Sequence, residues 1–219
     1  MARFKSDGNC YICGKTLGKT AMKNHTLKEH SSDGEEECFL LAIEGLHAKK
    51  YWLLADVAKN KTLEVVDTFL RRIWLECCGH ISIFHTGNYS EMGKTRKLSV
   101  FSAGDKIIHE YDMGTSTESL ISFVNQTRRP KQRDAVRLLA RNIEPIFNCE
   151  SCGKPAAFIC QECMYDSENP CYCKECAPNH EHDEMMIPIT NSPRCGECGY
   201  DGELDTFVFD PDIFKVKSK

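Results

Sequence analysis

The sequence predicts an α+β domain flanked by small cysteine-rich modules, and three observations predict it. Strand-like runs come in groups rather than alternating with helices. One amphipathic helix separates two such groups. The cysteines concentrate toward the two ends of the chain.

The central region opens at Cys38. Residues 38–46 and 51–57 are apolar runs that read as two strands joined by a short turn. A helix is predicted over 62–77, where Thr62 can cap it and Val65, Val66, Phe69, Leu70, Ile73 and Trp74 recur at i, i+3, i+4 spacing. After Gly79 the runs HISIF, KLSVF, KIIHEYDM and ESLISFV are short and β-like, separated by Gly-containing turns. Pro130 precedes a short helix expected over 131–140, and the region ends near Phe147. The order is strand pair, helix, antiparallel strands.

At 219 residues, 41% hydrophobic and 27% charged, the composition is that of an ordinary globular protein. No apolar run approaches the roughly 18 residues needed to cross a bilayer, and the opening MARFKSDGNC lacks a signal peptide's apolar core. A cytoplasmic location, without membrane contact, is therefore expected, and there thiols stay reduced. Ten of the 14 Cys form five C-x-x-C pairs, a spacing at which two thiolates reach one metal ion from a tight turn.

The N-terminal unit, 1–30, carries Cys10-x2-Cys13-x11-His25-x4-His30, with Leu17 and Met22 where the small core of a two-Cys, two-His zinc finger belongs. Its base-facing positions would be Gly18, Ala21 and Asn24; the first two have no group that reads a base edge. Lys15, Lys19, Lys23 and Lys28 suit phosphate contact without sequence preference. A polar, acidic linker, 31–37, follows.

The segment 148–205 holds four more C-x-x-C pairs and two histidines. Eight ligands in four pairs suggest two ions in a cross-braced arrangement. The expected sets are Cys149, Cys152, Cys173 and Cys176 for one ion, and Cys160, Cys163, His180 and His182 for the other, with Cys171, Cys195 and Cys198 as alternative ligands. The pattern resembles a B-box-type module with tighter histidine spacing. Including the finger, about three Zn2+ ions are expected, in thiolate-rich sites closed to substrate. A short, loosely ordered tail is expected after 205.

Several other residues bear chemistry. Cys77-Cys78-Gly79-His80 reads as a helix end, with Gly79 as breaker and Cys77 or Cys78 packed as a small hydrophobe, in preference to a nucleophile beside a base. Alternation puts Glu110 and Asp112 on one strand face and His109 on the other, a solvated face rather than an acid–base pair. Gly93-Lys94-Thr95 lacks the upstream glycine of a phosphate loop. Arg128, Arg129, Lys131, Arg133, Arg137 and Arg141 are candidate nucleic-acid contacts, the last three forming an i+4 stripe if 131–141 is helical. Residues 149–205 carry twelve Asp/Glu against three Lys/Arg, so the two ends of the chain suit different partners.

Two stretches, FLLAIEGLHAKKYWLLADVAKNKTLEVVDTFLRRIWLECCGHISIF and AGDKIIHEYDMGTSTESLISFV, together carry Thr62-Leu63, His80-Ile81, Phe84, Gly104-Asp105 and Tyr111-Asp112-Met113-Gly114. On these the chain, over roughly 38–145, resembles the plasmid pRiA4b open-reading-frame-three-like family, also known as insertion-sequence passenger proteins. Met113 stands where that family usually has Phe. The resemblance implies an α+β domain linked to mobile elements and brings no established activity.

No catalytic constellation is assigned. The expected function is that of a non-enzymatic zinc-binding adaptor with a protein partner; the alternative is a nucleic-acid-binding accessory protein of a mobile-element or regulatory system.

Overall fold

A computed structural model describes residues 6–31 and 33–215. Residues 1–5 of the predicted finger unit, Ser32 of the predicted linker and the last four residues of the tail lie outside the described residues. Nine antiparallel strands form one sheet: β1 (Asp7–Cys10), β2 (Thr16–Gly18), β3 (Glu36–Gly45), β4 (Trp52–Ala58), β5 (Ser82–His85), β6 (Glu91–Met92), β7 (Lys106–Tyr111), β8 (Thr117–Arg129) and β9 (Val136–Asn142). Their spatial order is β2-β1-β9-β4-β3-β8-β7-β5-β6. Helix α1 (Lys19–Glu29) covers one face, and α2 (Leu63–Leu70), continued by a π-helical turn over Arg71–Leu75, covers the other.

Period-two alternation explains why every residue of β4 is buried. Leu53, Ala55 and Val57, with Phe39, Leu41 and Ile43 of β3, pack against Leu63, Val66, Leu70 and Trp74. Trp52 and Leu54, with Leu40, point the opposite way and join Met22 and Cys10. The predicted finger core is thus part of a shared core: β1 adds to the sheet beside β9, and α1 docks on the second face. Glycine is required at position 8, because a Cβ there would lie 2.5 Å from the Trp52 ring and 2.4 Å from the Arg141 carbonyl oxygen.

The strand pair and the first helix fall where the sequence placed them, within a few residues. Three expectations need correction. Residues 131–140 are not helical; β9 occupies 136–142 and pairs with β4 on one side and β1 on the other, so two ladders and the burial of Leu138, Leu139 and Ala140 override the i+4 pattern. KLSVF is a 3-10 turn over Leu98–Val100, anchored by the Leu98 N–H on the Lys61 carbonyl at 2.8 Å. The helix predicted to Cys77 stops at Leu75, where Glu76 turns extended. The tail is also packed: Phe207 lies edge-on to Phe69, and Phe209 edge-on to Tyr11. Among the described residues, no helix is long and apolar enough to cross a membrane.

Asp67 of α2 is a buried carboxylate that ties this helix to the sheet. Its Oδ1 accepts from Ser82 Oγ at 2.6 Å and His109 Nε2 at 2.7 Å; its Oδ2 accepts from Lys94 Nζ at 2.9 Å and Arg71 Nε at 3.2 Å. Burial raises its pKa, but hydrogen bonds from His109, Ser82 and Lys94 outweigh that and hold it well below the usual carboxylate range. A depressed folded-state pKa stabilises fully above the unfolded value of about 3.9, and the contribution is lost as pH falls through the folded value. Asp67→Ala is expected to cost about 3–5 kcal/mol at neutral pH, and urea melts should show that cost shrinking below about pH 4. An undiminished difference at about pH 3 would refute this role for the carboxylate.

Candidate metal centres

Cys10 ends β1, Cys13 follows in the turn, His25 comes from α1 and His30 immediately follows it. The turn is a knuckle: Cys10 N–H donates to the Lys15 carbonyl at 2.9 Å, Gly14 N–H donates to the Cys10 carbonyl at 2.9 Å, and Gly14 has φ 75°. His30 is the C-cap of α1, with φ −134°, so the last turn opens where the second imidazole is presented. The four ligand atoms lie within 4.8 Å of one another. Cys13 Sγ is 3.2 Å from His25 Nε2, and the two Nε2 atoms are 3.2 Å apart. A tetrahedral ion with ligands at about 2.0–2.3 Å has edges of roughly 3.3–3.8 Å. The spacing is therefore that of ligands sharing one ion.

The same C-x-x-C-G-K sequence recurs at 149–154 with the same bonding. Cys149 N–H reaches the Lys154 carbonyl at 2.7 Å, Gly153 N–H reaches the Cys149 carbonyl at 2.9 Å, and Gly153 has φ 71°. Cys149, Cys152, Cys173 and Cys176 form the second group, with Cys152 and Cys173 sulfurs 3.7 Å apart. Burial raises the Cys149 pKa, yet hydrogen bonds from the backbone of Cys173, Cys152 and Ser151 prevail and bring it down to about 6, while hydrogen bonds with Cys152 and Cys173 push Cys176 up to about 12, so the four thiols do not lose their protons together.

Cys160, Cys163, His180 and His182 form the third group, with Cys163 Sγ 3.2 Å from His180 Nε2 and 3.6 Å from His182 Nδ1. Between the second and third groups runs a small sheet of β10 (Phe158–Cys160), β11 (Cys171–Tyr172) and β12 (Met186–Pro188). Its buried cluster consists of Cys149, Cys160, Tyr172, Cys173 and Ala177, so ligands make up most of the core.

The alternative ligands separate. Cys171 is buried outside every ligand group among the described residues. Cys195 is also outside them, its sulfur accepting the Thr190 N–H at 3.3 Å. Cys198, by contrast, meets Cys77, Cys78 and His80. The reading of Cys77-Cys78-Gly79-His80 as a helix end holds for Cys77, which packs against the core, and needs correction for the rest: the helix stops earlier, at Leu75, and Cys78 is exposed beside His80 and Cys198. Three ligands within four residues, together with an unpaired C-x-x-C far downstream, were the available signal. A group with oxygen donors also forms: His85 Nε2 lies 3.6 Å from Glu110 and 3.9 Å from Glu118, while Nδ1 contacts the Thr86 carbonyl at 2.8 Å.

Glu110 and Asp112 do not share a solvated face, because β7 ends at Tyr111 and Asp112 turns into the left-handed region at φ 68°. The six basic residues divide evenly. Arg128, Lys131 and Arg133 are exposed. Arg129 and Arg137 both pair with Asp56, and Arg141 pairs with Asp205 at 2.6 Å.

Comparison with protein-family models gives no match, and neither does comparison with curated proteins. Among solved structures, a protein of unknown function from Methanosarcina mazei Go1 is similar at a TM-score of 0.40 and 14% identity. The likeness spans 48% of this chain and 67% of that one.

Proposed function

We propose that the chain is a non-enzymatic, zinc-stabilised adaptor in which about three Zn2+ ions hold the finger and the C-terminal module. One observation carries this reading: each of three groups collects four sulfur or nitrogen donors at the edge lengths of a single tetrahedral ion. Four protein ligands leave no open position for water or substrate, so the ions serve folding rather than turnover. The module offers a basic protein surface a set of exposed acids, Glu162, Asp166, Glu168, Glu181, Asp183 and Glu184, beside exposed Tyr165. Within the central region, the two motif stretches that support kinship with the plasmid open-reading-frame-three-like family meet in space, His80 Nε2 lying 3.5 Å from Asp112.

Metal analysis of the full chain should find stoichiometric zinc, and a chelator should unfold part of it. Absence of zinc from a folded chain would end this reading. Titration with duplex DNA and single-stranded RNA separates the adaptor from the nucleic-acid alternative. The exposed candidates Arg128, Lys131 and Arg133, with Lys15 and Lys28 of the finger, neutralise about five phosphates, so binding through them should be weak and its log–log salt slope no steeper than about −5. A much steeper slope that Arg133→Ala reduces would favour the alternative.

A further inference from the structure

We propose a fourth zinc site, made by Cys77, Cys78, His80 and Cys198, that fastens the returning C-terminal segment to the central sheet. All four ligand atoms lie within 4.8 Å of one another. Cys78 Sγ is 3.8 Å from Cys77 Sγ, 3.8 Å from Cys198 Sγ and 2.9 Å from His80 Nε2, and Cys198 Sγ is 3.2 Å from the same nitrogen. The sulfur–sulfur separations equal the roughly 3.8 Å edge of a tetrahedron with Zn–S near 2.3 Å. Nothing in the local chain dictates this meeting, since Cys198 comes from 118 residues beyond His80.

The surroundings are those of a metal site. Arg194, fully buried, donates to Cys77 Sγ at 3.5 Å and to Asp112 Oδ2 at 2.7 Å. Its other nitrogen donates to Thr115 O and Thr117 Oγ1, both at 3.0 Å. Three thiolates and one imidazole around Zn2+ sum to a net charge of about −1, and the guanidinium lies between that charge and the Asp112 carboxylate, which is itself 3.5 Å from His80 Nε2. Arg71 donates to the His80 carbonyl at 2.6 Å and to Glu76 at 2.6 Å, and Glu76 in turn accepts the Gly79 N–H at 2.6 Å, so the loop carrying three ligands is held from beneath. Cys198 itself sits in the left-handed region, at φ 49°, a conformation that persists where surrounding contacts over-determine it.

The site separates Cys195 from Cys198, although their spacing alone would assign them to one ion. It also closes a long loop between residues 77 and 198, whose end is further held by Ser192 Oγ on the Trp74 carbonyl at 2.6 Å and Tyr200 Oη on the Ile73 carbonyl at 3.4 Å. None of its ligands is fully buried, whereas each other four-ligand group has at least one that is. Its ion should therefore be the first to leave.

The inference stands apart from the adaptor reading, and native mass spectrometry of the full chain decides it. Four zinc ions per chain are expected, with three in Cys198→Ala and Cys78→Ala and four in Cys195→Ala. Chelator titration followed with a zinc-sensitive dye should release one ion per chain in a fast phase that Cys198→Ala lacks. Three ions in the wild-type chain would overturn the proposal and leave the adaptor intact; no zinc at all would remove both. Retention of four ions by folded Cys198→Ala would also overturn it. Should either ligand variant fail to fold, the wild-type count remains decisive.

Discussion

Treating the full chain with a strong chelator is expected to melt residues 149–188 while the central strands β3, β4 and β8 stay folded. The two regions differ in what holds them. On the face under α2 the sheet buries Phe39, Leu41, Trp74, Phe84 and Phe123 among many others, and of the proposed ligands only Cys77 packs against the rim of that cluster. The small module's buried cluster has five residues, three of them cysteines from its ligand groups. A segment of about 40 residues rarely buries enough surface to fold without metals or disulfides. Once its thiolates lose their ion they repel one another or take up protons, and little else remains to order the backbone. Hydrogen exchange read by mass spectrometry checks this. The amides of Ala157 and Cys160, bonded at 2.9 Å to the carbonyls of Tyr172 and Pro170, should lose protection completely, while β3, β4 and β8 keep theirs. Protection that survives in 149–188 with all zinc removed would show that packing alone suffices there.

The grouping of the ligands was legible in the sequence for a physical reason. Ligand spacing is a local property, so Cys10-x2-Cys13 and Cys149-x2-Cys152 announce themselves, and apolar density does the same for β3 and β4. What escaped were features set by distance in the chain. The sequence offers Cys198 to Cys195 three residues away, and only the path of 189–200 back across Trp74 and Ile73 takes it to Cys78 instead. Likewise Arg133, Arg137 and Arg141 satisfy a helical stripe, but their i+4 spacing does not reveal that 136–142 is bracketed by β1 and β4. The finger as a module was visible; its docking was not, because Met22 looks the same whether it fills a private core or one shared with Trp52.

The basic residues give the second large effect. Arg129→Ala is expected to destabilise the chain by about 3–5 kcal/mol, the cost of breaking a buried ion pair from one side. Its guanidinium is fully buried, with Nε donating to Glu36 at 2.7 Å, Nη1 to Asp56 Oδ1 at 2.6 Å and Nη2 to the Asp134 and Ala135 carbonyls at 2.9 and 3.1 Å. Truncation strands the buried Asp56 carboxylate with only Arg137 beside it, and it frees two carbonyls at the turn into β9. Arg129→Lys should recover only part of the loss, since an ammonium cannot span four acceptors in that plane. By contrast, Arg133→Ala should fall within about 0.5 kcal/mol of wild type, because its side chain is exposed. Urea denaturation measures all three, and a loss below about 1 kcal/mol for Arg129→Ala would refute the ion-pair account. The comparison bears on function too. A drop in nucleic-acid affinity on changing Arg129 would report a damaged sheet, so phosphate contact by this arginine-rich stretch is tested through Arg128, Lys131 and Arg133.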